Sequence, residues 1–217
     1  MIAIVPAWNE APTIAAVLRA LMGPFDGRVL VVDDGSTDET VSEADGEGAS
    51  VLSTPKNLGK GQAMRYALSR ISKSEDVAFF DADLLGFRSQ HAHDLLDAFS
   101  QGYDMVCGLR DWGSFSNAAQ LALPLLTGER IFKRAVLDRI PEDCWNGYGI
   151  ETAMNDAVAR MGGKTALLFM LGVSIRTKAQ KDGFVAGNLR HWRMYDAIGE
   201  VKQNLKASEG ASCATCK

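Results

Sequence analysis

Val77-Ala78-Phe79-Phe80-Asp81-Ala82-Asp83 decides the fold. Four uncharged, largely apolar residues run into two carboxylates at i and i+2, as in a buried strand that ends where chemistry begins. Two aspartates this close repel each other unless a cation lies between them. Hard divalent cations such as Mg2+ or Mn2+ take oxygen ligands and commonly bridge protein carboxylates to a substrate phosphate. Asp81-x-Asp83 at a strand end therefore points to a metal-held phosphate. A solvated acidic turn can carry the same residues, and the rest of the chain weighs between the two.

Outward from this stretch, strands and helices alternate. Residues 2–5, 29–32, 50–53, 77–80 and 104–108 read as strands. Residues 13–21, 37–44, 59–71 and 90–99 read as helices; in the first, Ile14, Val17, Leu18 and Leu21 share one face. The alternation predicts an α/β fold, Rossmann-like, with a mostly parallel sheet flanked by helices. Such sheets bind ligands beyond the carboxyl ends of their strands. Three of those ends carry polar clusters: Asn9-Glu10, Asp33-Asp34 and Asp81/Asp83.

The second half is less regular. Residues 111–120 read as a loop, 129–140 as a helix on Ile131, Ala135, Val136 and Ile140, 150–161 as a helix, and 165–173 as a strand. Residues 188–205 are amphipathic, with Leu189, Trp192, Tyr195, Ile198, Val201 and Leu205 on one face. That face suits a helix that covers the sheet, a homodimer contact, or peripheral contact with a membrane surface.

The 217 residues, 47% of them hydrophobic, suffice for one α/β domain with a sizeable core. We expect it over residues 1–206, with a ligand-binding first half to 110 and a second half from 111 that shapes the rest of the cleft. A net charge of −4 argues against a general nucleic-acid binder. The start of the chain has no basic region or cleavage site, and the longest apolar stretches are too short to span a bilayer, so the expectation is a cytoplasmic protein. Cys213 and Cys216 form a Cys-x-x-Cys with no second pair, which cannot complete a zinc site; residues 207–217 read as a disordered tail.

Four segments resemble glycosyltransferase family 2 in order and spacing. They are Ile4-Val5-Pro6-Ala7-Trp8-Asn9-Glu10, Val31-Val32-Asp33-Asp34-Gly35-Ser36-Thr37-Asp38-Glu39-Thr40, Asn57-Leu58-Gly59-Lys60-Gly61 and Asp81-Ala82-Asp83. The resemblance covers roughly residues 1–110 and implies the GT-A fold, a nucleotide-diphospho-sugar donor of UDP or GDP type, and Mn2+ or Mg2+. Thr127-Gly128-Glu129-Arg130 and Gly147-Tyr148-Gly149-Ile150-Glu151 look like two subgroups, the polyprenyl-phosphate sugar transferases and the glucosyl-3-phosphoglycerate synthases. The first implies a lipid-phosphate acceptor and the second a small phosphorylated acid.

The resemblance assigns roles by position. Pro6, Ala7, Asn9, Glu10 and one of Asp33 or Asp34 hold the nucleoside, the other aspartate capping the next helix. Lys60 lies beside the nucleotide, at a helix start between glycines that permit close backbone approach. Asp83 holds the metal, with Asp81 near the ribose or the metal and Ala82 between them. Arg176, with Lys178 and Lys181, faces the diphosphate. At about the position of Arg176 the glucosyl-3-phosphoglycerate synthases would carry a metal-binding histidine. Glu129 and Glu151 are the acceptor-side carboxylates, one of which deprotonates an alcohol acceptor. Arg130, Lys133 and Arg134 form a basic cluster suited to an anionic acceptor. Two other readings are a sugar nucleotidyltransferase, opposed by the absence of a glycine cluster after the first strand, and a non-catalytic nucleotide-sugar binder, opposed by the intact Asp81/Asp83 pair.

Overall fold

The computed structural model describes residues 1–111, 127–146 and 149–176. Most of the expected loop after Asp111, the Gly147-Tyr148 pair, Lys178, Lys181, the amphipathic segment 188–205 and the cysteine-bearing tail lie outside these residues.

The strands of the main sheet are β1 (Ile2–Ala7), β2 (Val29–Asp33), β3 (Ser50–Ser53), β4 (Val77–Phe79), β6 (Met105–Arg110), β7 (Arg130–Phe132) and β8 (Thr165–Met170). They lie in the order β3-β2-β1-β4-β7-β6-β8. Every pairing is parallel except the two made by β7, which runs antiparallel between β4 and β6. The period-2 alternation of the deciding stretch separates two cores. Val77 and Phe79 pack on one side with Ile4, Met64 and Phe132. Ala78 and Phe80 pack on the other with Val5, Leu18 and Leu95. The helices α1 (Ile14–Met22), α2 (Thr40–Gly46) and α4 (Ser89–Ser100) supply the second side. The helices α3 (Lys60–Leu68), α5 (Arg134–Leu137) and α6 (Ile150–Arg160) supply the first.

The structure corrects one expected element. Residues 129–140 are not one helix: Arg130–Phe132 form β7, and only Arg134–Leu137 are helical. Ile131 and Phe132 are apolar at helical spacing with later residues, but their backbone completes ladders with Ala78 and Val77 on one side and Val106 and Met105 on the other. Inserted between two buried strands, that backbone has no water to bond to, so the ladder overrides local helical preference.

A small second sheet closes the carboxyl ends. In it β5 (Leu84–Leu85) pairs antiparallel with β9 (Ser174–Ile175). The pairing carries the next residue back to the deciding stretch, where Arg176 N donates to Asp83 O at 3.3 Å. Among the described residues no helix is long and apolar enough to cross a membrane.

The antiparallel insertion rests on Phe132, fully buried and edge-on to Phe79 with ring centroids 6.3 Å apart. Phe132→Ala should lower the unfolding free energy by about 3–5 kcal/mol. Urea denaturation checks this, and a loss below about 1 kcal/mol would remove β7 as a keystone.

Candidate active site

The carboxyl ends of β4 and β6, the first turns of α3 and α6 and the entry to β7 deliver a chain of alternating charges. Lys60, the first residue of α3, places Nζ 2.8 Å from Asp81 Oδ1 and 2.8 Å from Glu151 Oε1. On its other edge Asp81 Oδ2 accepts from Arg110 Nη2 at 2.6 Å. The same Nη2 donates to Glu129 Oε1 at 3.0 Å. Thr127 Oγ1 lies against the second oxygen of Glu129 and 2.6 Å from Gly108 O. The chain Glu151–Lys60–Asp81–Arg110–Glu129 thus ties α6, α3, β4, β6 and the entry to β7 together.

Burial shapes the chemistry of these groups. Burial works to lower the Lys60 ammonium, but Asp81 and Glu151 override it and hold the group above the ordinary lysine range. Burial likewise opposes the charge on Arg110, and Glu129 and Asp81 keep it protonated. At Glu129, which is 0% exposed, burial pushes the carboxyl up despite the pull of Arg110.

At the ends of β1 and β2 the structure separates the two aspartates. Asp34 Oδ1 accepts Leu58 N at 2.8 Å and Thr54 Oγ1 at 3.0 Å, and its Oδ2 accepts Gly59 N at 2.8 Å. It is fully engaged in holding the loop that delivers Lys60. Asp33 accepts Ser36 N through Oδ1 at 3.1 Å. Asn9 sits in the left-handed region at φ 57° and ties the β1 turn to the β2 turn, its N donating to Ser36 Oγ at 2.9 Å and its Oδ1 accepting Thr37 N at 2.8 Å. Pro6 and Ala7 lie in β1 beside Val32 and Asp33. The Glu10 carbonyl accepts Thr13 N and Ile14 N, while its carboxylate lies 3.8 Å from Arg176 Nη1. Glu10, Asp83 and Arg176 therefore meet at one edge of the cleft. Ala82 buries its methyl in the core, so it offers a ligand only backbone.

The basic cluster expected to face an acceptor does not do so. Arg130 is 1% exposed; its Nε donates to Thr127 O at 2.7 Å and its Nη1 to Asn155 Oδ1 at 2.6 Å. Lys133 pairs with Asp104 at 2.9 Å, and the Arg134 amide donates to Asp76 at 2.9 Å. Asp76 and Asp104 immediately precede β4 and β6, so Lys133 and Arg134 lie at the amino ends of the strands, away from the cleft. Because β7 is a strand running antiparallel to its neighbours, Arg130 and Lys133 cannot share an exposed helical face.

Arg110 is not among the expected site residues, although it ends a strand-like run. Thr127 and Gly128 stand in the segment Thr127-Gly128-Glu129-Arg130, where roles are expected of Glu129 and Arg130 alone. A Cβ at Gly128 would lie 2.2 Å from Asp81 Oδ1, so the backbone must pass directly against that carboxylate.

Among the described residues, the cleft gathers five carboxylates (Glu10, Asp81, Asp83, Glu129, Glu151) and three cations (Lys60, Arg110, Arg176). Among the described residues no three carboxylate, histidine or cysteine groups converge as a self-sufficient metal cage. Asp83, at a strand end among these carboxylates, fits a hard divalent cation that takes its remaining ligands from a bound phosphate and water.

The pattern described as "Glycosyl transferase family 2" matches residues 2–159. The chain belongs to glycosyl transferase family 2. Among curated relatives, the Haloferax volcanii "Glycosyltransferase AglJ" is 32% identical over 187 residues, 76% of this chain and 60% of AglJ. The Mycobacterium tuberculosis glucosyl-3-phosphoglycerate synthase is 37% identical over 92 residues, 38% of this chain and 28% of the synthase. The chain thus matches 60% of the length of the first relative and 28% of the second, less than two thirds of either. A crystal structure of that synthase with Mn2+, UDP-glucose and phosphoglyceric acid superposes at a TM-score of 0.70 and 24% identity, covering 91% of this chain and 79% of the synthase chain. The fold of this family 2 member is therefore GT-A, with the mixed sheet seen here.

The two aspartates of this family 2 chain should respond differently. Asp34→Ala strands two backbone amides and a hydroxyl, and should cost about 2–4 kcal/mol of stability. Asp33→Ala, which strands a single backbone amide, should cost about 1 kcal/mol or less. Thermal unfolding of both variants checks this, and equal destabilisation by the two would contradict it.

Proposed function

We propose that this chain transfers a sugar from a nucleoside-diphosphate sugar, of UDP or GDP type, to a phosphorylated acceptor, with Mn2+ or Mg2+ held at Asp83. The observation that carries the reading is that, among the described residues, carboxylates outnumber cations in the cleft. A diphosphate brought there alone would meet like charge at close range. A divalent cation reverses that sign, and when bound it stabilises the charge on the departing diphosphate oxygen as a Lewis acid.

The chain's own residues do the rest. Asp33 accepts an N–H of the base. Lys60, Arg110 and Arg176 set the positive edge along which the diphosphate lies, and Lys60 and Arg110 hold Asp81 in one orientation. An acceptor phosphate is already anionic and needs no base; an alcohol acceptor would give its proton to Glu151, which lines the cleft beside Lys60.

The relatives support this reading. Structures of the M. tuberculosis synthase contain Mg2+ with UDP, and Mn2+ with UDP and the glucosylated product. Another contains phosphoglyceric acid. Arg176 stands here where the resemblance calls for a metal-binding histidine, which leaves Asp83 as the principal protein ligand. A lipid phosphate and a small phosphorylated acid share the chemistry the cleft requires.

The test supplies radiolabelled UDP-glucose and GDP-mannose, with Mn2+, to two acceptor pools: extracted membrane lipids and small phosphorylated metabolites. Label should enter one pool, the lipid fraction for a polyprenyl phosphate or the soluble fraction for a phosphorylated acid. Asp83→Ala should lower transfer at least about a hundredfold, with an unchanged melting temperature. Transfer that persists in Asp83→Ala, or label in neither pool, would overturn the reading.

A further inference from the structure

We propose that Glu129 is a positioning residue that acts through Arg110, and does not take a proton from the acceptor. A general base must come within hydrogen-bonding reach of the proton it removes. Both oxygens of Glu129 are turned inward. One accepts from Arg110 Nη2 at 3.0 Å, the other lies against the Thr127 hydroxyl, and the residue is 0% exposed. Arg110 is the link outward, since the same Nη2 reaches Asp81 Oδ2 at 2.6 Å.

The backbone on which Glu129 stands is fixed from both sides. Thr127 Oγ1 is 2.6 Å from Gly108 O, and Glu129 O accepts Gly108 N at 2.8 Å. Gly128 packs against Asp81 so closely that a Cβ would lie 2.2 Å from its Oδ1. Behind this segment, Arg130 Nε holds Thr127 O at 2.7 Å and Nη1 holds Asn155 on α6, the helix that carries Glu151. Residues 127–130 are thus a rigid strap across the back of the charge chain. Its one carboxylate is the inner of the two, with Asp81, that hold Arg110 at the low-dielectric cleft edge. Arg110 in turn holds Asp81 on the edge opposite Lys60, so that Asp81 is engaged by two protein cations.

A base and a positioning residue respond differently to substitution. Glu129→Gln keeps an oxygen that accepts from Arg110, whereas Glu129→Ala removes the buried acceptor behind the guanidinium and leaves Asp81 to hold it from the cleft side. The inference rests on the proposed sugar transfer only for its kinetic readout. With UDP-glucose or GDP-mannose and Mn2+, Glu129→Gln should retain transfer within about tenfold of the unaltered protein. Glu129→Ala should lose about a hundredfold or more, Arg110→Ala a similar factor, and the double variant no more than either alone, as expected when one residue works through the other. A base would lose equally in Gln and Ala variants, and independent roles would multiply in the double variant; either result overturns the proposal. A second readout needs neither donor nor acceptor. In protein labelled with 15N-arginine, the Arg110 side-chain N–H signals, protected by the buried pair, should persist in Glu129→Gln and be lost in Glu129→Ala. Their persistence in a folded Glu129→Ala would overturn the proposal even if sugar transfer itself were disproved.

Discussion

Everything at the cleft depends on how the Asp81 carboxylate is neutralised. It lies between two cations from different parts of the chain, Lys60 at 2.8 Å and Arg110 at 2.6 Å, and each of these is braced by a further carboxylate. The arrangement converts sequence-distant segments into one electrostatic unit. It also sets a condition on the fold: the loop before α3, the end of β6, the strap before β7 and the start of α6 must all reach one point. The GT-A sheet satisfies that condition because β7 runs backwards between β4 and β6, bringing Glu129 in from the carboxyl end of its neighbours.

The energetics of such a chain are not those of surface ion pairs. Exposed pairs contribute little, and buried ones barely repay desolvation, while an unpaired buried charge is expensive. Removing one member therefore matters through the partner it strands. Lys60, with a side chain 24% exposed, can still turn toward an arriving anion; Arg110 at 9% and Glu129 at 0% cannot rearrange without breaking the network. Within the chain, exposure thus falls from Lys60 to the strap.

Much of this was legible in the amino-acid sequence, for identifiable reasons. The period-2 alternation through Phe79 and Phe80, and strand ends marked by Asp33, Asp34, Asp81 and Asp83, announced a parallel sheet and its binding edge before any geometry. Tertiary effects were less accessible. Ile131 and Phe132 fit a helical stripe, and only their insertion between two strands makes them β. Asp33 and Asp34 are adjacent and chemically identical, so the difference in role rests on three donors that reach Asp34 from Thr54, Leu58 and Gly59. The basic trio Arg130, Lys133 and Arg134 looked like an acceptor site because they are close in sequence, yet the strand direction sends two of them to the far end of the sheet. Gly128 was visible only as part of the segment Thr127–Arg130; the reason for a glycine there is the Asp81 carboxylate packed against it.

If carboxylates gathered at the cleft make donor binding depend on a divalent cation, calorimetric titration of UDP and GDP into the protein, first with Mn2+ and then with EDTA, will show it. The better-bound nucleotide should lose at least about a hundredfold in affinity when the cation is removed. Equal affinity under both conditions would contradict it.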